Sequence, residues 1–332
     1  MLKVGVIGTG GMGGRHVRNL YSQTPAQVVA VMDVDAARVQ EVADSVGGCA
    51  AYTDTNALIN DPNVEAVVIA SPDPFHKAAA LACIAAGKPT LCEKPLAMNT
   101  VEAKEVLDAE VAGGKRLLQL AFMREYDPAH LAVKAVADSG KIGDLLMFRG
   151  LHTNLALPHA RTAEDVIGNS SVHDIHSARW LMQQEVTQVY SQVVPSDPTR
   201  PETCRLLLTH MRFANGGLGL IEVNAEAGYG YQVNVELTGS AGTTSTPRPA
   251  AALVKTVGQE WLEIEPNWLV RFEVAYIAEV QAWVQSVIDG RPTGPSTWDG
   301  YAAMVVVDAC VASFKSGEPQ AVPELKRPFL YD

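Results

Sequence analysis

The sequence contains no apolar stretch near the roughly 18 residues that a membrane-spanning helix needs, so no membrane segment is expected. It has no basic run either. Lys and Arg (26) are outnumbered by Asp and Glu (37), and the formal charge of −11 argues against a nucleic-acid partner or an anionic membrane surface. Cysteine is scarce and unpatterned: Cys49, Cys83, Cys92, Cys204 and Cys310 form no C-x-x-C pair. That leaves neither a disulfide framework nor a zinc site, and it fits reduced thiols in a cytoplasmic protein. The apolar segment 4–7 is too brief for a signal-peptide core and runs into a turn, so no secretory leader is expected. Internal repeats and low-complexity segments are missing as well.

What is present is ordinary globular material, with 47% hydrophobic and 19% charged residues, in a chain of 332 residues long enough for two domains. The first stretch organises the rest. An apolar run, residues 4–7, ends in Gly8-Thr9-Gly10-Gly11-Met12-Gly13, which matches G-x-G-x-x-G and is followed by a segment able to continue as a helix over 15–21. In a dinucleotide site Gly8 makes the tight turn, Gly10 lets backbone approach a pyrophosphate, and Gly13 lets helix and strand pack closely. The pyrophosphate rests on the helix N-terminus. The glycines alone are weak evidence of function, because a Gly-rich turn serves other α/β proteins too. The second apolar run, 28–32, ends in Asp33, about 20 positions beyond Gly13, where a carboxylate accepts ribose hydroxyls and repels a 2′-phosphate. NAD is therefore the expected cofactor, in preference to NADP.

Downstream the pattern alternates strand and helix: helix 34–46, a strand near 50–52, strand 66–70, helix 75–86, strand 90–92, helix 100–112 and strand 116–121. This predicts a doubly wound parallel sheet, a Rossmann fold, over a domain of residues 1–122 with its ligand edge at the strands' carboxyl ends. The grammar then changes. Helix 127–138, strand 143–154, helix 169–182 and strands 187–194, 205–213, 218–225 and 231–239 predict an α+β domain over 123–332 with a mostly antiparallel sheet. A loop is expected at 155–168 and another at 243–249, with helices 268–289 and 298–314 closing the chain.

Two clusters can carry chemistry. Glu93-Lys94-Pro95 follows the fifth strand, on the same sheet edge as the glycine loop, and Pro95 keeps Lys94 extended. Such a lysine can hydrogen-bond a substrate oxygen, or it can be a plain surface lysine. The second cluster is helical: Asn169, His173 and His176 share a face. A cleft histidine suits proton removal from an alcohol; the plain alternative is a solvated or capped histidine. Two histidines three apart also suggest a metal, but no third ligand accompanies them, since Asp174 points off the arc. No metal is expected.

Read together and in order, Gly8/Gly10/Gly13, Ser71-Pro72-x-x-x-His76, Glu93-Lys94-Pro95, Phe122-Met123-Arg124-x-Tyr126-Asp127 and the His173-Asp174-Ile175 helix make the chain resemble the glucose–fructose oxidoreductase/inositol dehydrogenase family, most of all its inositol 2-dehydrogenase branch. The resemblance covers nearly the whole chain, and Glu-Lys-Pro is its most specific sign. It implies an NAD enzyme that oxidises a ring secondary alcohol of a cyclic polyol or sugar. Lys94 matches the lysine that binds the reacting oxygen, and His173 the histidine that takes the hydroxyl proton. Arg124, His152 and Asn154 match positions contacting substrate hydroxyls, with Tyr231 lining the same pocket and His176 adding to it. Gly8, Thr9, Gly10, Gly11, Met12, Gly13, Asp33, Ser71, His76, Glu93 and Lys94 fall on the cofactor side. One departure stands out: the inositol enzymes usually carry aspartate four residues before the histidine, where this chain has Asn169, which can orient a hydroxyl but cannot accept a proton. A keto-sugar reductase, or a sugar dehydrogenase that prepares a β-elimination, is the nearest alternative. A non-catalytic NAD sensor is a further one, disfavoured because Lys94 and His173 are both kept. The second domain is expected to pair sheets in a homodimer or homotetramer, as relatives of this kind commonly do.

Overall fold

The computed structural model of the chain describes residues 1–157, 159–247 and 253–332. Pro158 and Pro249, placed in loops by the sequence, lie outside the described residues. Chain contacts gather the described residues into two units, one of 1–123 with 276–304 and 326–332, the other of 124–275 with 305–325. The first unit thus joins residues 1–123 to two later segments of the chain.

In the first unit, β1 (Leu2–Ile7), β2 (Ala26–Met32), β3 (Ala50–Tyr52), β4 (Ala66–Ile69), β5 (Thr90–Cys92) and β6 (Leu118–Leu120) form a six-stranded sheet ordered β3-β2-β1-β4-β5-β6. All its pairings are parallel. Its strands are short apolar runs because both faces are covered, and every residue of β4 and β5 is buried. The order reverses between β1 and β4, which is the switch point where a doubly wound sheet offers a crevice. Helices α1 (Gly11–Gln23), α2 (Ala36–Ser45), α3 (Thr55–Ile59), α4 (His76–Ala85) and α5 (Thr100–Gly113) connect the strands. Asp35, Asp54 and Asn99 cap α2, α3 and α5 by accepting backbone N–H bonds. The five residues of α3 are too few to show a helical period, and the sequence pattern missed it. The two later segments are integral to this unit: Val280, Trp283 and Val284 join Val4, Val28, Val31 and Val68 in its core, and the Tyr331 hydroxyl donates to the buried Glu110 carboxylate.

In the second unit, β7 (Leu145–Leu155), β8 (Val186–Val194), β9 (Leu206–Phe213), β10 (Leu218–Ala227), β11 (Gln232–Gly239), β12 (Thr243–Ser245) and β15 (Gln320–Ala321) form a seven-stranded sheet ordered β12-β11-β7-β10-β9-β8-β15. Only β7 and β10 pair in parallel; the other ladders are antiparallel. Residues 243–245, expected in a loop, are β12. The hairpin β13 (Leu253–Thr256) and β14 (Gln259–Leu262) and the edge strand β15 (Gln320–Ala321) were not predicted. One face of the sheet is buried along its central strands, with Val233, Val235 and Leu237 of β11 on it beside Phe148 and His152 of β7. It is covered by α6 (Pro128–Asp138) and α8 (Val172–Met182), with the single turn α7 (Ala163–Asp165) leading into residues 166–171, which pack on β10. The helix expected over 268–289 is two, α9 (Trp268–Arg271) and α10 (Glu273–Ile288), separated at the fully buried Phe272, which leaves helical conformation. Last comes α11 (Thr297–Ser316).

Candidate active site

Four strand ends build the nucleotide half of the site. Gly8 follows β1, Asp33 follows β2, Ser71 follows β4 and Glu93 follows β5, and backbone bonds from Gly8 to Met32, from Ala70 to Ile7 and from Glu93 to Ile69 hold these ends in step. The glycines divide by role. A Cβ on Gly13 would stand 1.8 Å from the Gly8 carbonyl oxygen, and Gly8 has φ 87° with backbone of Ala70 and Ser71 pressed against it. Those two are required by packing and by a left-handed turn. A Cβ on Gly10 or Gly11 would meet nothing within 4 Å. That space lies over the start of α1, which begins at Gly11, earlier than the sequence suggested, and carries no side-chain cap. Its first N–H groups are thus left for an anion. The buried Ser71 hydroxyl, which has no partner among the described residues, adds a donor on the same edge. These features fit a dinucleotide pyrophosphate.

Asp33 is buried at the tip of β2, where a ribose binder belongs, but it is heavily engaged. Its Oδ2 accepts from the Thr9 N–H (2.8 Å) and Thr9 hydroxyl (3.0 Å), while Arg38 donates to both oxygens. Burial pushes its carboxyl up, yet these donors outweigh burial and hold it well below the usual carboxylate range.

After β5 the chain turns through Glu93 and the half-buried Lys94 into a cis Lys94–Pro95 peptide. His16 of α1, wholly buried, donates from Nε2 to Glu93 Oε1 at 2.9 Å. His76 directs its two ring nitrogens at the carbonyls of Pro95 and Ser71, each at 2.7 Å. The loop that carries Lys94 is therefore tied to α1 on one side and to the β4 loop on the other. His16→Leu is expected to cost about 1–3 kcal/mol by leaving the buried Glu93 oxygen without this donor; urea denaturation checks it, and an unchanged midpoint would show that the bond adds nothing.

The second unit assembles the residues that the resemblance assigned to substrate. Arg124 and His152 both lean on Asp174: Arg124 Nη1 donates to Oδ1, and His152 Nδ1 donates to Oδ2 at 2.8 Å. With its Nδ1 proton so engaged, His152 offers Nε2 as an acceptor to the Tyr231 hydroxyl (3.3 Å) and the Asn154 amide (3.2 Å). Arg124, His152, Asp174 and Tyr231 are all buried, and Phe272 packs edge-on to Tyr231 beneath the Arg124 guanidinium. Burial raises the Asp174 carboxyl, but the charges of Arg124 and His152 overcome that and bring it down to about 2. Burial lowers the His152 imidazole, against the pull of Asp174, and raises the Tyr231 phenol.

The histidine cluster is not one regular helix. Residues 166–171 wind as a π-helix, and α8 begins only at Val172, so the exposed Asn169 sits on a wider turn than the buried His173 and His176. His176 donates to Glu125 at 2.8 Å. The place of Asp174 in this network is what sequence reasoning misses, because a regular helical arc turns it away from the histidines. The signal was there: α8 is buried on all sides, with only Trp180 less than fully covered, and a charge inside such a helix must be paired. Arg179 obeys the same rule through Glu185. Among the described residues no cluster of three or more potential ligands is placed to hold a metal ion, and no helix is long and apolar enough to cross a membrane. All five cysteines are free, four of them buried.

Comparison with known proteins adds an independent line. The family profile described as "Oxidoreductase family, NAD-binding Rossmann fold" matches residues 2–122, and that described as "Oxidoreductase family, C-terminal alpha/beta domain" matches 134–322. An inositol 2-dehydrogenase of Rubrobacter xylanophilus is 45% identical over 99% of this chain and 96% of its own length. Inositol 2-dehydrogenase 2 of Saccharopolyspora erythraea is 39% identical over 99% and 98%. Among solved structures, the myo-inositol dehydrogenase of Lactobacillus casei in complex with NAD(H) and myo-inositol superposes with a TM-score of 0.96 at 31% identity, covering 100% of both chains. With the glycine loop, the Glu-Lys-Pro turn and the His173 helix placed as above, this chain belongs to the glucose–fructose oxidoreductase/inositol dehydrogenase (Gfo/Idh/MocA) family of NAD-binding oxidoreductases.

Proposed function

We propose that the protein is an NAD-dependent dehydrogenase that oxidises a ring secondary hydroxyl of an inositol to the ketone. The observation that carries this reading is the buried Arg124–Asp174–His152–Tyr231 network, a rigid polar wall suited to a ligand rich in hydroxyls. The full-length likeness to inositol 2-dehydrogenases supports the substrate class. Lys94 donates to the reacting oxygen, and His173 takes the hydroxyl proton as the C–H bond gives up its hydride. Bound NAD supplies the hydride acceptor. Arg124, His152, Asn154, His176 and Tyr231 orient the remaining hydroxyls, while the glycine loop, Asp33, Ser71, His76 and Glu93 bind the dinucleotide or position those that do.

NADH formation across a panel of inositols, hexoses and amino sugars tests the reading. Turnover of myo- or scyllo-inositol is the expected result. Turnover of another sugar with inositols inert would overturn the substrate and leave the redox chemistry, with Asn169 and the 155–168 segment as the source of the change. Asn169 also gives a graded test. Asn169→Asp should raise the His173 pKa and move the acidic limb of the kcat/KM profile up by about one pH unit; an unmoved limb would separate residue 169 from the base.

The outer face of the second sheet, where Met147, Leu151, Tyr190, Leu208 and Leu220 are half-exposed, is the surface on which two copies would pair as a homodimer or homotetramer. Light scattering of the purified chain at monomer mass would remove this part of the proposal. Reduced cysteines remain in keeping with a cytoplasmic setting.

A further inference from the structure

Asp33 already accepts five hydrogen bonds, from the Thr9 N–H and hydroxyl, the Asp35 N–H, and Nε and Nη2 of Arg38. A carboxylate offers about four lone-pair positions. Ribose hydroxyls can be accepted there only if a donor yields. The two backbone donors are fixed by the chain, and the Thr9 side chain is buried with the glycine loop. Arg38 is different: it stands in the first turn of α2, its side chain is 44% exposed, and it reaches Asp33 through a flexible stem. It is the donor that can leave. Once released it still lies within guanidinium reach of whatever sits on Asp33, and the group nearest that carboxylate in a bound dinucleotide is the ribose 2′ position.

We propose that Arg38 is a specificity-determining residue of the nucleotide site: it yields Asp33 to the ribose when a dinucleotide binds, and beside that carboxylate it donates in a fork to a 2′-phosphate, offsetting the repulsion from Asp33. The consequence is a chain that prefers NAD yet retains a usable NADP site, so its discrimination is modest. This rests on the dinucleotide reading of the glycine loop, and the probes are chosen to separate the two.

Calorimetric titration with ADP-ribose and with 2′-phospho-ADP-ribose reads binding without turnover. The unaltered protein should bind both, the phosphorylated probe weaker by no more than about a hundredfold. Arg38→Gln should weaken the phosphorylated probe by a further tenfold or more, about what a lost charge-assisted fork removes, while ADP-ribose binding holds or tightens. Asp33→Asn should reverse the preference, and adding Arg38→Gln to it should cancel the reversal. Equal losses for both probes in Arg38→Gln, or none for either, would overturn the role of Arg38 with the dinucleotide site intact. Failure of the unaltered protein to bind ADP-ribose would overturn the site itself.

Discussion

Lys94→Ala should lower kcat on the accepted polyol by about 10²–10³-fold or more, the loss found when a donor aimed at a developing oxyanion is removed, with ADP-ribose affinity left within about threefold. The split between the two readouts is the point. In the role proposed for it Lys94 stands on the cofactor side at the reacting oxygen, away from the pyrophosphate and ribose that ADP-ribose carries, so a structural lysine would move neither quantity and a ligand of those groups would move both. Lys94→Arg should also fail, because a planar, bulkier guanidinium cannot present a single point charge from the same backbone position. Turnover within tenfold of the unaltered protein in Lys94→Ala would sink the assignment.

Asp174→Ala should destabilise the protein by about 3–5 kcal/mol, since it strands the buried Arg124 guanidinium and leaves His152 without the acceptor that fixes its ring. Arg124 and Asp174 are each only 1% exposed, so water cannot replace the lost partner. The pH dependence follows from the depressed carboxyl. Because the folded-state value is about 2 against an ordinary 3.8, the stabilisation is fully present above pH 4 and is lost as the pH falls toward 2. Asp174→Asn should erase that acid-limb loss while lowering stability at neutral pH. Thermal unfolding of both variants from pH 2 to 7 checks the pair of statements; an acid limb that survives in Asp174→Asn would mean other carboxylates set it.

Much of this was readable in the sequence where local chemistry decides structure. The glycine spacing, the run 66–69 and Asp33 located the first sheet and its ligand edge, because a strand buried on both faces has to be continuously apolar. Alternation in 231–239 located the sheet of the second unit. What escaped was set by distant partners. Nothing near Asp33 in sequence tells that Thr9 shares its carboxylate, and nothing near Arg124 tells that its counter-charge comes fifty residues later. The π-helical turn at 166–171 escaped for a different reason: a helical period is assumed when residues are placed on a face, and a wider turn breaks the assumption without leaving a compositional trace.

The seating of Val280, Trp283 and Val284 in the core of the first sheet has a bearing on synthesis. A chain emerging from the ribosome exposes the six strands of that sheet long before these side chains exist, so the nucleotide-binding unit waits with apolar surface uncovered while residues 124–275 of the second unit are translated. A fragment ending at residue 123 should accordingly be sticky and poorly soluble, whereas a circular permutant that begins near 276 and supplies the closing helix first would let the unit fold as it is made.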